Sequence, residues 1–556
     1  MSVRSNNTLR LTAGGVLLVG SGGGAALLAG VAGAQTVDPA ALEPQVAQTY
    51  TVANTNDSGA GSLRAAVTSA NANAGADTIT FDPSVTGTIT LSSTLEITEG
   101  VTITGPGSGV LNVSGGDAVR VFRTSGIGDV SISGLEISRG LSHDGAAIRS
   151  DNAGALNLDS VKVDHNRSTQ WAALYLENSG QVTISNSEIN DNVSDGSVSA
   201  LYIGSATDVL ISGTSFTGNV GTGSTVLMSG ANITLDSVTV DSNQSTDSAA
   251  NTATILMNPR SSSSILNSTI SNNSGAGATS KQALRINGNN TVTSLIANST
   301  VTGNSAMKSA VWVFGNGPAR IVQSTITGNA GPELYLRNGV SAASQGSVIS
   351  DGTATDIAVT SGGSARLVSS NSILGGSDAG VTVDDTGGTL RNVTDLKLGA
   401  LANNGGRTKT RLPLPGSPLL NAGGTTVPTF PGNQFDQRGS GFARLSGGAI
   451  DIGAVEVQVQ VPTVGAVAPP TGPTSGGTTI TLTGTNFAAG MTVTVGGAAC
   501  MNVTVLSATS ATCVTPSGTA GGAAVVVTGV GGSATLADGF TFVADPNGEV
   551  VPTFTG

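Results

Sequence analysis

The sequence predicts an all-β chain: a parallel β-helix closed at its N-terminal end by a short helix, followed by a smaller β-sandwich. Three observations carry this prediction. A single spacing rule of two apolar residues and an asparagine recurs seven times between Leu158 and Asn329. Of 556 residues, 79 are glycine, only 3% are aromatic and 10% charged, which argues against helical bundles, coiled coils and most doubly wound enzymes. After Glu456 the composition passes through a Val/Gln/Pro stretch into short alternating runs with a different spacing.

Arg4 and Arg10 precede an apolar, glycine-rich stretch from Leu11 to Ala34 that ends Ala32-Gly33-Ala34. This is the pattern of a secretory signal peptide, with cleavage expected after Ala34. The competing reading, an uncleaved anchor, is weakened by the many glycines, and no other stretch is expected to span a bilayer. The expected location is therefore secreted or cell-surface. There Cys500 and Cys513, the two cysteines, are expected to form a disulfide. Two thiols are too few for a metal site, and no metal or cofactor is expected. A net charge of −12 weighs against a nucleic-acid partner, because no basic stripe is present to displace counterions from phosphates.

Ser62-Leu63-Arg64-Ala65-Ala66-Val67-Thr68-Ser69-Ala70 places Leu63, Ala66, Val67 and Ala70 on one helical face, with Ser62 as N-cap. A helix here would cover the open first coil, whose strand edges must otherwise be exposed.

The repeat itself starts as Leu158-x4-Val163-x2-Asn166. It returns at Ile184/Ile189/Asn192, Ile211/Phe216/Asn219, Leu235/Val240/Asn243, Ile265/Ile270/Asn273, Ile296/Val301/Asn304 and Ile321/Ile326/Asn329. Asn166 and Asn329 are six steps apart, a mean step of about 27 residues, in the range of stacked supersecondary units. Weaker copies at Ile132/Ile137/Gly140 and Val368/Ile373/Gly376 extend the stack both ways. Each period holds short strand-like runs, so coils of a parallel β-helix fit it: each coil bonds to those above and below. The asparagines are read as a structural ladder, tolerating left-handed corners and bonding side chain to side chain.

The strand preceding each ladder unit supplies a second register: Leu174-Tyr175-Leu176, Leu201-Tyr202-Ile203, Val226-Leu227-Met228, Ile255-Leu256-Met257, Leu284-Arg285-Ile286, Val311-Trp312-Val313 and Leu334-Tyr335-Leu336. Alternation points the middle residue outward. Tyr175, Tyr202, Arg285, Trp312 and Tyr335 are thus the candidate ligand-binding stripe, a platform for sugar rings or a surface protein. The competing reading is ring stacking that merely stabilises the sheet. For catalysis the candidates are Asp164, His165, His143 and Asp144, with Arg167 and Asp191 nearby, which would supply carboxylates for acid/base work. No phosphate loop, nucleophile elbow or zinc spacing occurs.

The stretch Asn54-Thr55-Asn56-Asp57-Ser58-Gly59 through Ser62-Leu63-Arg64 to Gly75-Ala76-Asp77-Thr78-Ile79-Thr80-Phe81 resembles the N-terminal segment of secreted right-handed β-helix proteins. Four blocks resemble the choice-of-anchor Q domain: Leu401-Ala402-Asn403-Asn404-Gly405-Gly406, Leu414 to Gly423, Asp436-Gln437-Arg438-Gly439 and Asp451-Ile452-Gly453-Ala454-Val455-Glu456. That resemblance implies an exported, pectate-lyase-like solenoid and no reaction. Asp436, Arg438, Asp451 and Glu456 are read as ion pairs closing a cap. Gly472 to Phe487, Val495-Gly496-Gly497, Cys513-Val514-Thr515-Pro516 and Phe540-Thr541-Phe542 resemble IPT/TIG domains, which implies an immunoglobulin-like sandwich.

The expected organisation is a signal peptide over 1–34, a right-handed parallel β-helix over 49–457, a linker over 458–462, an IPT/TIG domain over 463–543 and a tail over 544–556. Within the β-helix, 49–105 form the N-terminal cap and 395–457 the choice-of-anchor Q-like region. The expected function is adhesion or binding of an extracellular glycan or surface protein rather than catalysis. The alternative is a polysaccharide lyase or glycoside hydrolase.

Overall fold

The computed structural model describes residues 46–544 except 127, 152–153, 178–179, 248–251, 277–280, 306, 316, 352–354 and 530. The expected signal peptide over 1–34 and residues 545–556 of the expected tail lie outside the described residues. Among the described residues no helix is long and apolar enough to cross a membrane.

The predicted fold class is the one observed: a parallel β-helix followed by a separate β domain. A 13-stranded sheet takes one short strand per coil, and a 28-stranded sheet takes the rest. Alternation along each strand turns one residue in and the next out, and the parallel register stacks equivalent residues. One interior column runs through Ile103, Ile132, Leu158, Ile184, Ile211, Leu235, Ile265, Ile296 and Ile321. Every member is at most 2% exposed, so each contributes about 1.5–3 kcal/mol of burial. This explains how a chain poor in aromatic residues builds its core.

Two corners recur from coil to coil, each set by a left-handed residue that a polar one follows in most coils. At one corner His165, Asp191, Ser242 and Asn272 have φ between 52° and 57°, and each precedes a ladder asparagine. Gly218, with φ of 67°, holds the same place where a side chain would be strained. The asparagine Nδ2 groups donate in turn to the Oδ1 of the next coil: Asn166 to Asn192 and Asn192 to Asn219 at 3.0 Å, then to Asn243, Asn273 and Asn304 at 2.9 Å, and finally to Asn329 at 2.7 Å. Each Oδ1 also accepts the backbone N–H of the preceding asparagine. At the other corner a serine column does similar work. The hydroxyls of Ser299, Ser324, Ser347 and Ser372 accept the backbone N–H of Ser268, Ser299, Ser324 and Ser347, at 3.1–3.3 Å.

The helix forms over Leu63–Ala72 and buries Leu63, Ala66, Val67 and Ala70, with the Ser62 side chain accepting from the Ala65 N–H. Arg64 ties it to the first coils, pairing with Asp57 at 2.6 Å and donating to the carbonyls of Ser93 and Thr94.

The segment holding the four sequence blocks after Leu401 differs from expectation. It does not form ion pairs over the end of the stack; it runs as a strap along the outside of the coils. Thr408 and Lys409 bond Asn267 and Thr269, Gln437 bonds Ser268, Thr269 and Thr300, and Ala454 donates to Thr325. Of the four expected ion-pairing residues, Asp436 and Arg438 pair at 2.6 Å. Asp451 and Glu456 instead accept backbone N–H groups, those of Asn421 and Val457 and those of Ser446 and Asp451. Arg444, fully buried, donates to Asn298, Gln323 and the carbonyls of Gly453 and Ala454.

From Thr463 onward a four-stranded and a five-stranded sheet enclose a second core including Ile480, Leu482, Val493, Val525 and Phe540. Cys500 and Cys513 are free thiols here, in hydrogen-bonding contact with one another. That contact lowers the Cys500 pKa and, with burial, raises that of Cys513.

Candidate functional site

Parallel pairing assembles one outward row across the long sheet: Arg123, Arg149, Tyr175, Tyr202, Leu227, Leu256, Arg285, Trp312, Tyr335 and Ala358. The five predicted stripe residues all lie in it, but they form two clusters of different character.

In the first cluster Tyr175 and Tyr202 stack at 4.7 Å between centroids with 13° between planes. Trp171 tilts onto Tyr202 at 5.1 Å, and all three rings are half-buried. The Tyr175 hydroxyl donates to Glu177 at 2.6 Å; burial, then this carboxylate, raises its pKa. Arg149 lies 5.2 Å from the Tyr175 ring and is held by Asp144 and Asp151.

In the second cluster Trp312 departs from the expected exposed stripe, being only 5% exposed. The reason is cationic cover. Arg285 lies 4.6 Å and Lys308 4.9 Å from its centroid, while Phe314 and Tyr335 meet it edge-on at 5.2 and 5.3 Å. Lys308 also lies over Tyr335 and Arg337 over Phe314, both at 4.7 Å. What faces solvent here is positive charge on an aromatic floor.

The catalytic candidates separate. Asp164 and His165 lie at a corner, with His165 Nδ1 3.2 Å from Asp164 Oδ2. Lys162 bridges Asp164 at 2.6 Å and Glu136 at 3.1 Å. Burial raises the Glu136 pKa and the Asp164 carboxylate adds to this, while the Lys162 hydrogen bond opposes it. Glu136, Asp164 and His165 line a cleft of about 600 Å³ together with Arg139, Arg167 and Asp191. His143 and Asp144 lie instead on the long-sheet side, where Asp144 serves Arg120 and Arg149.

Sequence reasoning missed Trp171, Arg149, Phe314, Lys308 and Arg337. Phe314 and Arg337 follow row residues by two, so alternation was the available signal; Trp171 and Lys308 precede the strand triplets and carry no periodic mark. It also missed Glu333, Asp351 and Asp356, whose carboxylate oxygens lie within 4.8 Å of one another.

Residues 144–294 and 282–395 match the right handed beta helix region family, and residues 462–544 match the IPT/TIG domain family. Among solved structures, the plexin A4 extracellular region is 28% identical over 15% of this chain and 9% of its own, with a TM-score of 0.14. This chain thus spans less than a tenth of that relative's length. The A-module of mannuronan C-5 epimerase AlgE6 from Azotobacter vinelandii is 14% identical over 62% of this chain and 99% of its own, with a TM-score of 0.36. Pectate lyase Pel9A is 16% identical over 74% and 96%, with a TM-score of 0.34. No curated protein matches the chain. This chain therefore carries a right-handed β-helix region followed by an IPT/TIG domain.

Proposed function

We propose that this chain is an exported binding protein whose β-helix presents a glycan-binding face, acting in adhesion rather than catalysis. The observation that carries the reading is the half-buried ring cluster of Trp171, Tyr175 and Tyr202. Stacked rings with a hydroxyl and carboxylate at their edge suit the apolar face and hydroxyl rim of a sugar. In the same reading the signal peptide directs export and residues 395–457 form a choice-of-anchor Q-type region. The domain from about residue 463 then serves as a spacer or secondary contact, with Cys500 and Cys513 oxidised outside the cell.

The test uses the chain's two tryptophans. Titration of a neutral soluble glycan is expected to change tryptophan emission in the wild type and in Trp312→Phe, and not in Trp171→Phe. A response lost in Trp312→Phe and kept in Trp171→Phe would refute the assignment.

A second reading rests on the corner cleft. Glu136, with its raised pKa, adjoins Asp164, whose Oδ1 is buried without a hydrogen-bond partner. Two carboxyl groups beside an imidazole are the equipment of a polysaccharide lyase or hydrolase. Release of reducing or unsaturated ends, abolished in Asp164→Asn and His165→Ala, would favour this reading.

A further inference from the structure

We propose that Lys308, Arg337 and Arg285 form a subsite for the acid groups of an anionic glycan. This inference rests on the glycan-binding reading and adds a charge requirement to it.

The two ends of the outer row hold their cations differently. At its N-terminal end the cations are neutralised: Arg120 by Asp144, Arg123 by Asp151, and Arg149 by both. Five coil steps beyond Arg149, from Arg285 onward, the pattern reverses. Lys308 and Arg337 make no ion pair and no side-chain hydrogen bond among the described residues, and Arg337 is exposed. Arg285 donates through Nε to Asn287 at 2.7 Å. In a chain of net charge −12, carboxylates were available to pair Lys308 and Arg337, yet aromatic rings hold both instead.

Those rings also fix the chemistry of the ligand. Trp312, Phe314 and Tyr335 have cations within 4.5–4.9 Å of their centroids, so the surface at this place sets positive charge beside the half-buried Phe314 and Tyr335 rings, over a buried Trp312. Cations presented on a rigid floor lose little freedom on meeting an anion, and charge-assisted bonds to carboxylate or sulfate are the strong ones. A neutral sugar would leave them unanswered.

The row joins this cluster to the ring cluster. Tyr202 and Arg285 are three coil steps apart, through Leu227 and Leu256, a span of about 14 Å at the strand spacing of a sheet. Alongside runs an amide track in which Asn287 donates to Asn258 at 2.9 Å and Asn258 to Ser229 at 3.3 Å. A linear polymer lying along the row would meet rings, then apolar and amide surface, then cations.

The experiment measures affinity of the full chain for three polymers sharing one backbone: hydroxyethylcellulose, carboxymethylcellulose and cellulose sulfate. The acidic polymers are expected to bind at least about tenfold more tightly than the neutral one, with a preference between them naming the acid group. Raising NaCl from about 0.05 to 0.5 M should erase most of that difference. Lys308→Ala/Arg337→Ala should remove it and leave neutral binding unchanged, and Lys308→Arg/Arg337→Lys should retain it. Equal affinity for all three polymers, or an unaffected double alanine variant, would overturn the subsite while leaving the ring platform standing, provided Tyr175→Ala/Tyr202→Ala abolishes neutral binding. Failure to bind any polymer would overturn both. Binding of an acidic protein surface but no polymer would replace the glycan with a protein partner and overturn both as stated.

Discussion

Asn329 Nδ2 donates to Glu333 Oε2 at 2.6 Å while its backbone N–H donates to Oε1 at 3.0 Å. The asparagine column thus ends on a buried carboxyl, which takes the place the next coil's asparagine would occupy. Burial pushes the Glu333 pKa up to about 8, the bonds from Asn329 opposing it.

That relationship predicts how stability depends on pH. Glu456 is also raised to about 8, and Asp356 to about 6, both chiefly by burial. The folded chain holds these protons more tightly than the unfolded chain, so each contribution is complete below the unfolded pKa, 3.8 for Asp356 and 4.5 for the glutamates, and is lost as pH rises towards 8. Tm should therefore fall by several degrees between pH 5 and 8, and Glu333→Gln should flatten the fall. Asp57, Asp151 and Asp159, whose pKa values are lowered, act in the opposite sense below about pH 4. Scanning calorimetry across this range checks both limbs.

Interrupting the column should be costly. Asn219 accepts from the Asn192 N–H and Nδ2 and donates to Asn243 Oδ1 and the Ile189 carbonyl. Asn219→Ala strands several buried partners, at about 1–3 kcal/mol each. The unfolding midpoint of the β-helix in urea should fall accordingly, and an unchanged midpoint would deny the column a structural role.

Arg444 should govern the strap. Its four acceptors sit in the coils and in the strap itself, and a lysine cannot reproduce the guanidinium fork. Arg444→Met and Arg444→Lys should both make residues 395–457 sensitive to limited proteolysis while the coils stay resistant.

For the C-terminal module, oxidised protein should have the mass expected for one Cys500–Cys513 bond. Reduction should then cost that module about 2–3 kcal/mol. Two alkylatable thiols in exported protein would contradict this.

The legible parts of the fold were those marked by period. The Asn166 to Asn329 column stood out because asparagine recurs once per coil, three residues after an apolar one. The serine column through Ser299, Ser324 and Ser347 did not, since serine is abundant everywhere in the chain. Gln437 and Arg444 act across more than 100 residues, and such pairing leaves no local trace. Alternation correctly placed Tyr175 and Tyr202 on the outer row, but it cannot foresee that Arg285 and Lys308 close over Trp312. Glu333 was hidden because it stands one residue before the Leu334-Tyr335-Leu336 triplet, where the preceding coils carry Ala310 and Ala283 and no periodic mark points to an acid.

The most direct measurement for the account is the affinity of the intact protein for a glycan bound by the wild type, repeated with Tyr175→Ala/Tyr202→Ala. Both side chains lie on the outer row, so the fold should survive, with Tm nearly unchanged. The account predicts affinity weakened by at least about tenfold; full affinity in this variant, with Tm preserved, would contradict it.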